Sequence, residues 1–183
     1  MQLANSPHAY GAVAKAFHWS IVALVLIGWI FGTFGEELPR GAPRNLGLFV
    51  HITAGLLILA ISLPRLVWHF ADTKPPPEPN PFGHWADRLA TFAHYALYVL
   101  VIAAPLAGIA TLFARGDALP VLGLFDIASP MAADRTTARS VKEVHEVLAN
   151  ALLVLALLHA AAALFHHWVL RDRTLVRMLP GRR

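Results

Sequence analysis

The sequence predicts an all-α integral membrane protein, a four-helix bundle with both termini in the cytoplasm. Three observations carry that prediction. Of 183 residues, 57% are hydrophobic and only 14% are charged, against about 25% charged in a soluble domain, and the mean hydropathy is +0.56. Four runs of about 20 or more uncharged, mostly apolar residues follow one another, each long enough to cross about 30 Å of hydrocarbon as a helix. The basic residues flank these runs instead of forming a patch, so the net charge of +4 reads as membrane topology and not as a nucleic-acid surface.

The first fifteen residues are too polar for a signal-peptide core, so the first run is expected to stay as an anchor. Lys15 and Glu36 bracket it. Arg44 and Arg65 bracket the second, Arg88 and Arg115 the third, and Glu146 and Arg171 the fourth. The expected spans are about 16–35, 45–68, 89–114 and 142–168 in a single domain, 1–183. The runs lack period-2 alternation, which excludes barrel strands. Pro105 is expected to kink the third span without breaking it, and Pro64 to sit near the end of the second. The proline-rich linker at Pro75–Pro81 reads as extended. The longest linker, from Gly116 to Ser140, has room for a short surface helix.

Four spans put both termini on one side. Lys15, Arg65, Lys74, Arg88, Arg171, Arg173, Arg177, Arg182 and Arg183 share that side. Arg40, Arg44, Arg115, Arg135, Arg139 and Lys142 fall on the other. The positive-inside rule then assigns the termini to the cytoplasm.

No cysteine is present, which excludes disulfides, thiolate zinc sites, iron–sulfur clusters and covalent c-type haem. A metal centre must use histidine or carboxylate. Of the ten histidines, His8 and His84 lie in polar segments, and His69, His166 and His167 lie near span ends. The other five sit at or inside spans. His18 and His94 fall on the inner half, His51 and His145 on the outer half. His145 and His159 are fourteen residues apart, hence about 40° apart in azimuth and about 21 Å apart along the axis. His159 therefore returns to the level of His18 and His94.

The pattern is two layers: His51 with His145 outside, and His159 inside with His18 or His94. A lone histidine in a span is commonly a residue hydrogen-bonded to a neighbouring helix, but four in matched layers point to function. A proton relay or metal transporter would usually add carboxylates, and none lies within the runs. Bis-histidine haem fits best, because iron takes axial imidazoles from opposite faces and bundles build cofactor sites between helices. Ala160–Ala163 beside His159, and Ala54 and Gly55 beside His51, are small enough to make room.

The segments AKAFHWSIVALVLIGW, HITAGLLILAISLPRLVW, FAHYALYVLVIAAPLAGI and SVKEVHEVLANALLVLALLHAAAALFHHWVLRD, with the ending TLVRMLPGRR, resemble the bacterial cytochrome b561 family over nearly the whole chain. The resemblance is to the short, stand-alone type. It implies an inner-membrane oxidoreductase with two non-covalent b-type haems, passing electrons from periplasmic superoxide to ubiquinone with no protein partner required. It implies His18 and His159 as ligands of the inner haem iron, and His51 and His145 of the outer. His94 then becomes a neighbour of the haem, a propionate partner or a quinone contact. Related cytochromes anchor hydrogenase- or dehydrogenase-type complexes, the nearest rival reading.

Superoxide is an anion, so a local cationic funnel would speed its encounter. Arg135, Arg139 and Lys142 precede His145, and Lys142 lies one turn before it. The outward segments carry seven carboxylates against six cations, so any positive field there is local. Trp19 and Trp85 are expected as interfacial anchors, and Tyr95 and Tyr98 as packing or quinone contacts.

Overall fold

The computed structural model describes residues 2–180; Arg182 and Arg183, assigned to the cytoplasmic tail above, lie outside the described residues. Four helices long and apolar enough to cross a membrane dominate it: α1 Ala12–Phe34, α2 Ala42–Ala71, α3 His84–Ala114 and α4 Arg135–Phe165. The helices outrun the apolar runs. α4 begins at Arg135, well before the expected span start at 142, because Asp134 caps it: its carboxylate accepts from the Thr136 amide at 2.9 Å and the Thr137 hydroxyl at 2.6 Å, satisfying backbone donors that hydropathy does not register. These bonds hold the Asp134 carboxyl below its ordinary range. α3 likewise starts at His84, five residues before Leu89.

α2 and α3 continue through Pro64 and Pro105. Pro64 lies seven residues inside the end of α2, further in than expected. Residues 73–80 carry no helix or strand, as the prolines there predict.

The longest linker corrects the sequence reading. In place of a surface helix it holds a hairpin, β1 Leu119–Val121 paired antiparallel with β2 Phe125–Ile127. The Leu124 amide donates to the Val121 carbonyl at 2.9 Å, and Leu122 and Gly123 both take positive φ, 54° and 73°, the pairing of a twisted hairpin turn. Gly123 suits that conformation; Leu122 bears a steric cost there.

α1 packs on α2, α3 on α4, and α2 on α3, while α1 and α4 meet very little. The fully enclosed apolar centre takes one side chain from each helix: Ile21, Ile58, Val101 and Leu152. Leu152 is midway between His145 and His159, so this apolar plug separates the two histidine levels. Many large apolar side chains point outward, among them Leu63, Val67, Phe92, Val99, Val147 and Leu158, as suits a lipid-facing surface.

The chain beyond α4 folds back across the end of the bundle that holds both termini. A π-helical turn, His166–Leu170, ends at Arg171 in the left-handed region, φ 55°. Trp19 Nε1 then donates to the Met178 carbonyl at 2.9 Å and Lys15 Nζ to the Leu179 carbonyl at 3.0 Å. Arg177 bonds the Pro76 carbonyl and pairs with Glu78, both at 2.7 Å. Trp19 thus anchors the tail as well as lying at a span end.

Asp172 fixes the start of this strap, accepting from His166 Nδ1 at 2.5 Å and from the Thr174 amide at 2.8 Å. Burial pushes the Asp172 carboxyl up, but the bonds from His166 and Thr174 outweigh it, and its pKa is lowered. A lowered carboxyl stabilises the fold fully above its unfolded range and loses that contribution as pH falls through the folded value. Thermal unfolding in detergent should therefore show the wild type losing stability on acidification toward pH ~3, with a smaller loss in Asp172→Asn.

Candidate functional site

The outer pair is built identically from two sides. His51 on α2 has its Nδ1 2.7 Å from the Gly28 carbonyl on α1. His145 on α4 has its Nδ1 2.8 Å from the Ala104 carbonyl on α3. A carbonyl only accepts, so each Nδ1 carries the proton and each Nε2 keeps its lone pair free. The ring centroids are 5.9 Å apart at 81°.

Each of these carbonyls belongs to the residue four before a glycine, Gly28 before Gly32 and Ala104 before Gly108. In a helix the side chain at i+4 flanks the carbonyl of residue i. At Gly32 a Cβ would come 2.7 Å from His51 Cε1, and at Gly108 one would come 3.2 Å from His145 Cε1. Both glycines are exposed to a helix-propensity cost of about 1 kcal/mol relative to alanine, and the reason is that the imidazoles occupy the space.

The inner level holds His18, His94 and His159. The His18 and His159 centroids are 6.3 Å apart, and those of His94 and His159 5.1 Å. His94 is exposed and donates from Nδ1 to the Ala90 carbonyl of its own helix at 2.7 Å. Arg65 on α2 brings Nη2 to 3.5 Å from His18 Nδ1 and lays its guanidinium 5.2 Å from the Tyr98 ring centroid. Tyr98 therefore sits beside the inner histidines, whereas Tyr95 is exposed.

Several buried polar atoms have no partner within the protein: Trp29 Nε1, next in sequence to Gly28, Thr53 Oγ1, two residues after His51, and Ser62 Oγ and Trp68 Nε1, three residues to either side of Arg65. Among the described residues, no three histidine, aspartate or glutamate side chains converge to hold a bare metal ion. Of the small residues, Ala54 is buried against α1, while Ala160, Ala161 and Ala162 are exposed.

The cations ahead of His145 are tied to carboxylates. Lys142 Nζ lies 3.3 Å from Glu146 and 3.7 Å from Glu36, and Arg139 Nε lies 3.2 Å from Glu143. Lys142 thereby bridges α4 to the turn after α1, across the gap between those helices. Arg135, the first residue of α4, is exposed.

The sequence reading named the histidines but not Gly28, Gly32, Ala104 or Gly108. The signal was present in the glycines at mid-span, where a cost in helix propensity asks for a reason.

The probable superoxide oxidase CybB of Yersinia pestis is 35% identical over 95% of this chain and 97% of its own. Cytochrome b561 homolog 2 of Escherichia coli is 32% identical over 98% and 95%, and cytochrome b562 of Cereibacter sphaeroides 31% over 94% and 96%. The family description of prokaryotic cytochrome b561 matches residues 9–181. With four membrane-length helices and near full-length agreement, the chain belongs to the prokaryotic cytochrome b561 family, membrane proteins that bind b-type haem and transfer electrons.

Proposed function

We propose that the protein is a single-domain di-haem cytochrome of the bacterial inner membrane, with cytoplasmic termini, that oxidises superoxide and reduces ubiquinone. The observation that carries the two-haem reading is the spacing of the histidine pairs. A metal–imidazole bond is about 2 Å and a ring centroid lies about 1 Å behind its nitrogen, so two imidazoles on opposite sides of one metal ion have centroids about 6 Å apart. The pairs His51–His145 and His18–His159 are at 5.9 and 6.3 Å. The alternative inner pair, His94–His159, is short at 5.1 Å, which favours His18 as ligand and leaves His94 as a neighbour.

The outer pair fits the group in its tautomers, while His18, whose Nδ1 faces the donor-only Arg65 guanidinium at 3.5 Å, would ligate through Nε2 on giving up that contact. His51 and His145 hold the tautomer that ligation through Nε2 requires, fixed by a backbone carbonyl, the usual outer partner of a metal-bound histidine. The poor contact between α1 and α4 leaves room between the helices that carry His18 and His159. Arg65 is the fixed cation nearest the inner pair and would hold a haem carboxylate, and the unpartnered Trp29, Thr53, Ser62 and Trp68 atoms offer donors. Bound haem supplies reversible one-electron chemistry. The protein's own work is to orient four imidazoles, keep an apolar plug of Ile21, Ile58, Val101 and Leu152 between the levels, and exclude water.

The net reaction takes one electron from each of two superoxide anions, releasing dioxygen, and adds two electrons and two protons to ubiquinone. The name of the Yersinia pestis relative supports superoxide as donor. The matched pairs His51–His145 and His18–His159, with no carboxylate in the apolar runs, favour this reading over a metal transporter. In stopped flow, purified haem-loaded protein mixed with a superoxide source should be reduced and then reoxidised by ubiquinone; haem that stays oxidised under superoxide would remove the donor assignment.

Lys142, Arg139 and Arg135 remain the residues proposed to steer superoxide. Their partners divide them. Lys142 and Arg139 are neutralised locally by Glu146, Glu36 and Glu143, so the steering field is short-ranged and screened beyond about 8–10 Å at physiological salt. Lys142→Ala should lower the superoxide rate severalfold at low salt and flatten its salt dependence. An unchanged salt profile would assign Lys142 to the α1–α4 bridge alone.

A further inference from the structure

A line of side chains runs from the surface linker at the termini end to the inner histidines, and the ligand set uses none of its outer members. Lys74 Nζ, in the linker after α2, lies 2.6 Å from His69 Nε2. His69 Nδ1 lies 3.2 Å from the Tyr98 hydroxyl on α3. Tyr98 carries the Arg65 guanidinium on its ring face, and Arg65 reaches His18. The donors in this line have a direction. An ammonium only donates, so Lys74 donates to His69 Nε2. His69 therefore carries its proton on Nδ1 and donates it to the Tyr98 oxygen, and the Tyr98 hydroxyl proton is free to be given onward.

We propose that Lys74, His69 and Tyr98 form the proton-delivery path to the quinone, with Tyr98 the residue that gives the proton to a quinone oxygen. The inference rests on the reading that the protein reduces ubiquinone, and it puts that step beside the inner histidine pair, where Arg65 links Tyr98 to His18. Reduction of ubiquinone to ubiquinol consumes two protons, and no aspartate or glutamate lies within the apolar runs to supply them. Each delivery is balanced. The Tyr98 O–H bond breaks as the quinone O–H bond forms. The Tyr98 oxygen takes the proton from His69 Nδ1, His69 takes one at Nε2 from Lys74, and Lys74 is reprotonated by water. His69 then returns to its Nδ1-protonated tautomer before the second proton. Lys74 and Tyr98 flank the two ring nitrogens of His69, so one nitrogen accepts while the other donates, the arrangement a relay needs.

The test compares wild type, Tyr98→Phe and His69→Ala as purified, haem-loaded protein, reduced and then mixed with decylubiquinone or with ferricyanide, which takes electrons without protons. Both variants should keep the wild-type haem spectrum and ferricyanide rate while reoxidation by decylubiquinone slows by about a hundredfold, the lower end of what a positioned proton donor contributes. Added imidazole should restore much of the His69→Ala rate and none of the Tyr98→Phe rate. In protein labelled with nitrogen-15 histidine, the His69 signal, identified by its loss in His69→Ala, should report protonation at Nδ1. Variants as fast as wild type with decylubiquinone, or a His69 protonated at Nε2, overturn the path alone. A wild type that decylubiquinone does not reoxidise, though ferricyanide does, overturns the quinone reading and the path with it.

Discussion

His145→Ala and His159→Ala, purified with adequate haem supply, should each hold about one b-type haem where the wild type holds about two. The loss follows from the helix phase. One helix offers an imidazole to each level, and removing one ligand of an axial pair leaves the other level intact, because the apolar plug separates them. His51→Ala should then match His145→Ala in spectrum and potential, and His18→Ala should match His159→Ala. His94→Ala should keep both haems. Haem-to-protein ratios with difference spectra decide this, and loss of a haem in His94→Ala with retention in His18→Ala would reverse the inner assignment.

The second large effect comes from two glycines one turn apart on α1. Gly32→Ala should dislodge His51, whereas Gly28→Ala should be tolerated. A Cβ at Gly32 would stand 2.7 Å from His51 Cε1 and 2.9 Å from its Nδ1, while one at Gly28 would meet only Ala54 Cβ at an ordinary 3.7 Å. The His51 ring cannot move aside without giving up the Gly28 carbonyl, and leaving a half-buried imidazole unpaired costs about 1 kcal/mol. The expected readout is loss of the outer haem, or its conversion to a weakly held form of altered potential, in Gly32→Ala. Gly28→Ala should show the wild-type spectrum, and on helix propensity alone alanine would favour the fold by about 1 kcal/mol. Equal behaviour of the two variants would show that the close approach at Gly32 does not govern His51.

How much of this was legible in the sequence depended on whether the signal lay along one helix or between two. The four spans were legible because hydropathy is a property of a single run. The levels were legible because helix rise and phase relate His145 to His159 on one chain segment, and alternating span direction carries the rest. The helix ends were not, since the Asp134 cap and the polar first turns of α3 and α4 lie outside the apolar runs. The hairpin at 119–127 was missed because its content is strongly apolar, although Pro120 and Gly123 are turn residues that argue against a helix. Gly32 and Gly108 could not be tied to His51 and His145 without knowing that α1 faces α2 and α3 faces α4. The same holds for His69 and Tyr98, which stand 29 residues apart and meet only through the α2–α3 packing. His69 alone reads as an ordinary residue at a span end.

The central claim is that two histidine pairs hold two haems. The most direct test is the haem-to-protein ratio of the purified wild type, measured with its reduced-minus-oxidised spectrum and a potentiometric titration. The account predicts about two non-covalent b-type haems per chain, titrating as two components, each with two axial imidazoles. A single haem, or none in protein made with adequate haem supply, would contradict it.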